Sequence, residues 1–335
     1  MEPTLSDPQP STGSRTTGLI KIALRIGVGL AVLGFIVLRH PAGIVDKLSH
    51  AKAGYLALAF ACILAGLFVS ALRWRVYLRA LDLDLPFPTL FRLYFVGTFF
   101  NAFLPTGIGG DGYKAIRLGR DRGSLSRAFA SVFLDRFAGI VGLSVIGFVS
   151  TLVLVLTHHR GAVPVLSLVL SAGIVLAAIL VLVGGDRLAG VFIPDRGIFG
   201  KLRVAIRDIE LGGRSAGTLL PGLGLGVAFQ LLVLAYHLAV AAALGIHVGV
   251  AQMSAIVVIA SLATMIPLTI NGLGFRESSY KWALQRVGAC TTHACGGAFA
   301  ILILAVLLAS SAVGGLVYVI AGGEVARGPA PAKPG

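Results

Sequence analysis

Asn101-Ala-Phe-Leu-Pro105-Thr-Gly107-Ile-Gly109-Gly110-Asp111-Gly112 and, further along, Met265-Ile-Pro267-Leu-Thr-Ile-Asn271-Gly272-Leu-Gly274-Phe-Arg276-Glu277 follow one plan. Each ends an apolar run with a proline, turns through Gly-x-Gly, and reaches an acid two or three residues later. The runs that feed them, 91–104 and 251–266, hold 14 and 16 residues. A helix that crosses a bilayer needs roughly 20. Runs this short, ending in a glycine-rich break, suit re-entrant half-helices better than full spans. The expected turns are Pro105, Gly107, Gly109 and Gly110 in the first segment, and Pro267, Asn271, Gly272 and Gly274 in the second.

Outward from the breaks the chain is strongly apolar. Its 335 residues are 56% hydrophobic and 13% charged, with a mean hydropathy of +0.92. A soluble domain carries about 25% charge, so the composition points to lipid. Runs long enough to cross a membrane occupy 19–38, 55–72, 137–157, 164–183, 219–244 and 298–321. The expected fold is therefore all-α: a polytopic transmembrane bundle of about six full spans plus two re-entrant hairpins. Residues 1–18 and 322–335 read as disordered tails, rich in Pro, Ser, Thr or Ala, around a membrane domain over 19–321. The order span, span, broken hairpin, span occurs over 19–157 and again over 164–321, starting from opposite sides. That is the pattern of an inverted-topology repeat; a bundle with proline kinks and no symmetry competes with it.

Charge sets the orientation. Lys and Arg gather on the cytoplasmic side of membrane proteins. With the N-terminus inside, 20 of the 28 basic residues fall there, so a cytoplasmic N-terminus in the cell (inner) membrane is expected. The net charge of +14 then needs no nucleic-acid partner. Treating 251–266 as a full span gives a similar bias, so charge leaves the second hairpin open.

Irregular backbone at membrane depth persists only when buried in protein or lining a wet cavity, and half-helix N-termini favour anions. Near the breaks lie Asp111, Arg136, Arg276 and Glu277. The functional reading has the arginines binding an anionic headgroup and the acids positioning them or carrying a proton. The plainer reading has the acids capping helix N-termini and Arg136 at the interface, tied to Asp135. Lys114, Arg117 and Arg120 share a helix face. They, Arg73, Arg75 and Arg79, and the run Lys201, Arg203 and Arg207 suit an anionic leaflet or serve topology alone. Signals for chemistry are poor. Asp82-Leu-Asp84 sits in a short loop, His158-His159 lacks acids nearby, and His237 and His247 are isolated. There is no H-E-x-x-H and no P-loop, so no catalytic residue, metal or cofactor is expected. Cys290 and Cys295 are expected as buried thiols; they would pair only if their loop faced an oxidising side.

At three places the chain resembles the lysylphosphatidylglycerol synthase transmembrane-region, or flippase-like, family. They are the first break through Arg117, the segment Ser131-Val-Phe-Leu-Asp135-Arg136, and the second break through Glu277. One departure is Asn271-Gly272, where the family often has two glycines. The resemblance implies a lipid flippase or lipid-binding transporter for a phospholipid or polyprenyl-linked lipid. Asp111, Arg136, Arg276, Glu277, Lys114 and Arg117 would then meet the headgroup. No soluble synthetase domain is recognisable, so an enzyme is not expected. A membrane enzyme or accessory factor for lipid-linked glycosylation, working beside a lipid-modifying partner, is the competing function.

Overall fold

A computed structural model of the chain describes residues 43–103, 109–157, 161–192, 215–265 and 275–320. Every regular element among them is α-helical. In chain order these are α1 Gly43–Ser49, α2 Ala53–Ala80, α3 Phe87–Phe103, α4 Gly109–Arg122, α5 Leu125–Leu156, α6 Ala162–Phe192, α7 Ala216–Ala243, α8 Val250–Met265, α9 Phe275–Arg286 and α10 His293–Ile320. The expected span at 19–38, both tails, the run Lys201, Arg203 and Arg207, His158-His159, and Pro105, Gly107, Pro267, Asn271, Gly272 and Gly274 lie outside the described residues.

Among the described residues five helices are long and apolar enough to cross a membrane: α2, α5, α6, α7 and α10. They coincide with five of the six spans read from hydropathy. The helices run past those apolar windows, because hydropathy registers lipid contact while the backbone keeps its hydrogen bonds into the polar ends. In α5 the polar lead-in matters, since the helix starts after Ser124, ahead of the apolar span that opens at residue 137. Arg136 thus lies inside a continuous helix, about 17 Å from its start at 1.5 Å per residue.

Contacts at the helix ends sort the bundle into two faces. Arg127 Nη1 donates to the Leu81 carbonyl (3.4 Å) and Arg122 Nη2 to the Asp84 carbonyl (2.6 Å). The end of α2, the start of α3, the end of α4 and the start of α5 therefore share one face. At the other, the Lys52 N–H donates to the Ala243 carbonyl (3.0 Å), and Ile44 of α1 packs at Gly297 of α10. The end of α7, the start of α8, the end of α9 and the start of α10 meet there. So the start of α3 and the end of α4 lie at one face, and the start of α8 and the end of α9 at the opposite one. The order α2, α3/α4, α5 recurs as α7, α8/α9, α10.

A cluster of ionic contacts holds the first face. Asp84 accepts from Arg75 Nε (3.4 Å) and Arg79 Nε (3.2 Å), which uses up the acid of the Asp-x-Asp pair. Slight burial pushes the Asp84 carboxyl up, but the hydrogen bonds and charges of Arg79 and Arg75 outweigh it and hold the carboxyl below its ordinary value. A carboxylate with a depressed pKa contributes its stability fully above the unfolded pKa and loses it as pH falls through the folded one. Asp84→Asn is therefore expected to lower the melting temperature at pH 7, with the gap to the parent closing below about pH 3.9, the ordinary Asp value. Paired thermal melts across that range check it.

Small residues bring the two halves together. Lipid supplies little drive for helices to associate, so close packing must do so. A Cβ on Gly142 of α5 would sit 2.6 Å from the Gly226 backbone of α7. Across this seam Gln230 Nε2 donates to the Gly139 carbonyl (2.9 Å). Gly142→Leu should therefore cost about 1–3 kcal/mol by overpacking. Gly224→Leu, whose Cβ meets nothing within 4 Å, should be near neutral. Melting temperatures of the two variants in detergent decide the matter.

The expectation of two buried thiols is corrected. Cys290 and Cys295, five residues apart with Cα atoms 5.6 Å from each other, form a disulfide that joins the turn after α9 to the first turn of α10. The turn brings the two Cα atoms within bridging range, which the spacing alone did not reveal.

Candidate functional site

The first break is stitched by Asn101. From the end of α3 its Oδ1 accepts from the N–H of Gly110 (2.8 Å) and of Asp111 (3.3 Å). These are among the orphan donors of the first turn of α4, so Asn101 caps a helix that is not its own. The helices approach closely enough that a Cβ on Gly110 would collide with the Gly97 carbonyl. Glycine is required there by space.

That geometry fixes Asp111. Its Oδ1 is 2.9 Å from Lys114 Nζ and its Oδ2 accepts from Arg136 Nε at 2.6 Å. Lys114 is 2% exposed, its ammonium 4.3 Å from the Tyr94 ring centroid and 5.1 Å from that of Trp74. The shared basic face expected for Lys114, Arg117 and Arg120 is therefore broken up. Lys114 is an internal counter-ion in a cation–π cage. Arg117 turns to Asp121 at 3.1 Å and does not line the cavity described below.

A second buried pair lies beside the first. Arg73 Nε donates to Asp135 Oδ1 (2.8 Å) and the Tyr94 hydroxyl donates to Oδ2 (3.2 Å). Asp135 thus belongs to Arg73, not to its neighbour Arg136. Arg73 is itself 3% exposed and lies over the Phe229 ring, so it is no leaflet-facing residue. The aromatic run Trp74, Tyr77 and Tyr94 around it was the signal available in the sequence.

At the second break Arg276 Nη2 donates to Glu277 Oε1 (3.1 Å). Its side chain is 8% exposed, and its Nε has no partner among the described residues. One turn on, the Tyr280 hydroxyl donates to His237 Nε2 (2.6 Å), while His237 Nδ1 donates to the Val233 carbonyl (2.8 Å). That bond ties α9 to α7, so His237 serves the core behind the site.

Arg136 and Arg276 line one cavity of about 290 Å³. Tyr94, Thr98 and Asn101 of α3, Ser70 of α2, and Ser310 and Ser311 of α10 give it a polar side; Ile63, Val233, Leu304 and Leu307 give it an apolar one. Arg136, with 53% of its side chain exposed, fronts this space. Around it stand four cations, Arg73, Lys114, Arg136 and Arg276, against three acids, Asp111, Asp135 and Glu277. Among the described residues the balance is one net positive charge. Thr98, Ser310, Tyr94 and Asn101 were not singled out from the sequence; only Asn101 sits in a quoted motif. Among the described residues no three His, Cys, Asp or Glu side chains gather as a metal site.

Residues 22–314 match the family described as Lysylphosphatidylglycerol synthase TM region. The chain is also 32% identical over 136 residues to a protein of Methanothermobacter thermautotrophicus described as a UPF0104 membrane protein. That match covers 38% of this chain and spans 40% of the length of the curated relative.

Proposed function

Since this chain belongs to the lysylphosphatidylglycerol synthase TM region family, we propose that this multi-pass membrane protein binds a phosphate-bearing lipid by its headgroup and carries it between leaflets. One observation supports this above the rest: Arg136 of α5 and Arg276 of α9, from opposite halves, front the same cavity. A phosphate there accepts from Arg276 Nε and from the Arg136 N–H groups not engaged by Asp111. The acyl or polyprenyl chain leaves past Leu304 and Leu307. Asp111 and Glu277 orient the arginines, and Lys114 neutralises Asp111 from behind. Arg117 takes no part. The halves rock about the α5/α7 seam, as expected for alternating access around a fixed site. The role is carriage without catalysis, in the service of a lipid-modifying enzyme.

The proposed orientation puts the face of Arg79, Arg92, Arg120 and Arg122 in the cytoplasm of the cell membrane and, through the span at 19–38, the N-terminus with it. Two independent features agree on it. Basic residues crowd that face, and the Cys290–Cys295 disulfide is at the other, where an oxidising compartment sustains such bonds.

Proteoliposomes holding headgroup-labelled phospholipid or polyprenyl phosphate test the proposal. Leaflet exchange faster than in empty vesicles supports it. Exchange no faster than in empty vesicles for either lipid class, by protein that melts cooperatively, would falsify it.

A further inference from the structure

Three arginines share one arrangement. Among the described residues each is held by an acid through a single nitrogen: Arg136 Nε by Asp111, Arg276 Nη2 by Glu277, and Arg73 Nε by Asp135. A guanidinium has five N–H donors, so each keeps donors to spare. In two of them a spare nitrogen is buried without a partner, Arg276 Nε and Arg73 Nη1. Arg276 lines the cavity, whereas Arg73 lies just outside it.

The surroundings of Arg73 are described residues of three neighbouring helices. Asp135 of α5 holds Nε, and the Tyr94 hydroxyl of α3 donates to the other oxygen of that acid (3.2 Å). A Cβ on Gly139 of α5 would sit 3.2 Å from Nη1. Arg73 is 3% exposed. A buried charged donor left unpaired is costly, and native structures rarely keep one without a reason. Because Tyr94 also serves Asp135, the acid does not need the whole guanidinium.

One ring separates Arg73 from the cavity. Phe229 of α7 lines the cavity, and its centroid is 5.3 Å from Arg73 Cζ. The ring also rests on Gly66 of α2, where a Cβ would come within 3.4 Å of it. Ser70 lines the cavity, and Arg73 follows it by one turn on the same side of α2. Arg73 is therefore one turn nearer the face where α2 ends and Arg79 meets Asp84.

We infer that Arg73 is a second phosphate contact, on the route between the cavity and that face, and that the Phe229 ring is the partition between the two positions. This rests on the headgroup-carrying reading above and deepens it. Phe229 and Arg73 belong to opposite halves, so rocking at the α5/α7 seam takes the ring off the guanidinium. Nη1 then meets a phosphate-ester oxygen while Nε keeps Asp135.

The purified full-length protein in mixed micelles is titrated with fluorescent phosphatidylglycerol, and its leaflet exchange is followed in proteoliposomes. Phe229→Ala opens Arg73 to the cavity and should tighten binding about tenfold, the effect of one hydrogen bond to a charged group. Phe229→Ala/Arg73→Lys keeps a cation for Asp135 without the planar fork and should lose that gain. Arg73→Lys alone should bind like the parent and exchange lipid about tenfold more slowly. If it does not fold, Arg73→Met/Asp135→Leu removes both partners of the pair together and takes its place. No gain in Phe229→Ala, a gain that survives in the double variant, or parental exchange without Arg73 overturns the inference and leaves the cavity site standing. No binding by the parent overturns both. Inorganic phosphate is then added as competitor to Phe229→Ala. Weak competition supports a lipid phosphate, whereas displacement at concentrations equal to the lipid keeps Arg73 as a phosphate contact and overturns the lipid carrier.

Discussion

Asp111→Ala is expected to be the most damaging single change, costing about 3–5 kcal/mol of stability, the range seen when one partner of a buried ion pair is removed. Lys114, 2% exposed, would keep its charge in a site where, among the described residues, the Tyr94 and Trp74 rings remain as its partners. Arg136 would lose the carboxylate that orients it at 2.6 Å. The double variant Asp111→Ala/Lys114→Met removes the stranded ammonium with the acid and should recover much of the loss. Melting temperature in detergent reads both, and a double variant no more stable than the single one would contradict the ion-pair account. A side chain that merely capped α4 would behave differently, since its loss typically costs about 1 kcal/mol and would be indifferent to Lys114.

Arg276→Gln is expected to have the largest functional effect, weakening lipid binding roughly 30-fold or more, as for truncation of a buried charge at an interface. The argument is positional. Arg276 is 7% exposed, faces the cavity, and keeps an Nε donor without a partner among the described residues. Arg276→Lys keeps the charge without the planar fork and should retain part of the binding. Arg136→Gln should cost less, because that side chain already answers Asp111. Titration of the variants with a fluorescent anionic lipid, alongside their melts, separates binding from folding. Parental affinity in a folded Arg276→Gln protein would move the phosphate elsewhere.

The residues at the breaks carried much of this arrangement openly. The short apolar runs before Pro105 and Pro267 marked the ends of two helices, at Phe103 and Met265. What stayed hidden was which way a helix face looks. Lys114, Arg117 and Arg120 share a face by spacing, yet spacing cannot say that Trp74 and Tyr94 stand opposite the first of them. Asp135 and Arg136 are neighbours in sequence, so a pair between them was the natural reading. Helix geometry sends adjacent side chains about 100° apart, and each finds a partner on a different element. The disulfide depended on the approach of two Cα atoms across a turn, which hydropathy does not encode.

The three cysteines are divided unequally: two are locked to each other, and Cys62 is a free thiol on the cavity wall. The chain thus comes with its own attachment point for a maleimide dye or spin label, and no mutagenesis is needed to introduce one. A reporter fixed at Cys62 sits against the space that Arg136 and Arg276 front, so its emission or mobility follows occupancy directly.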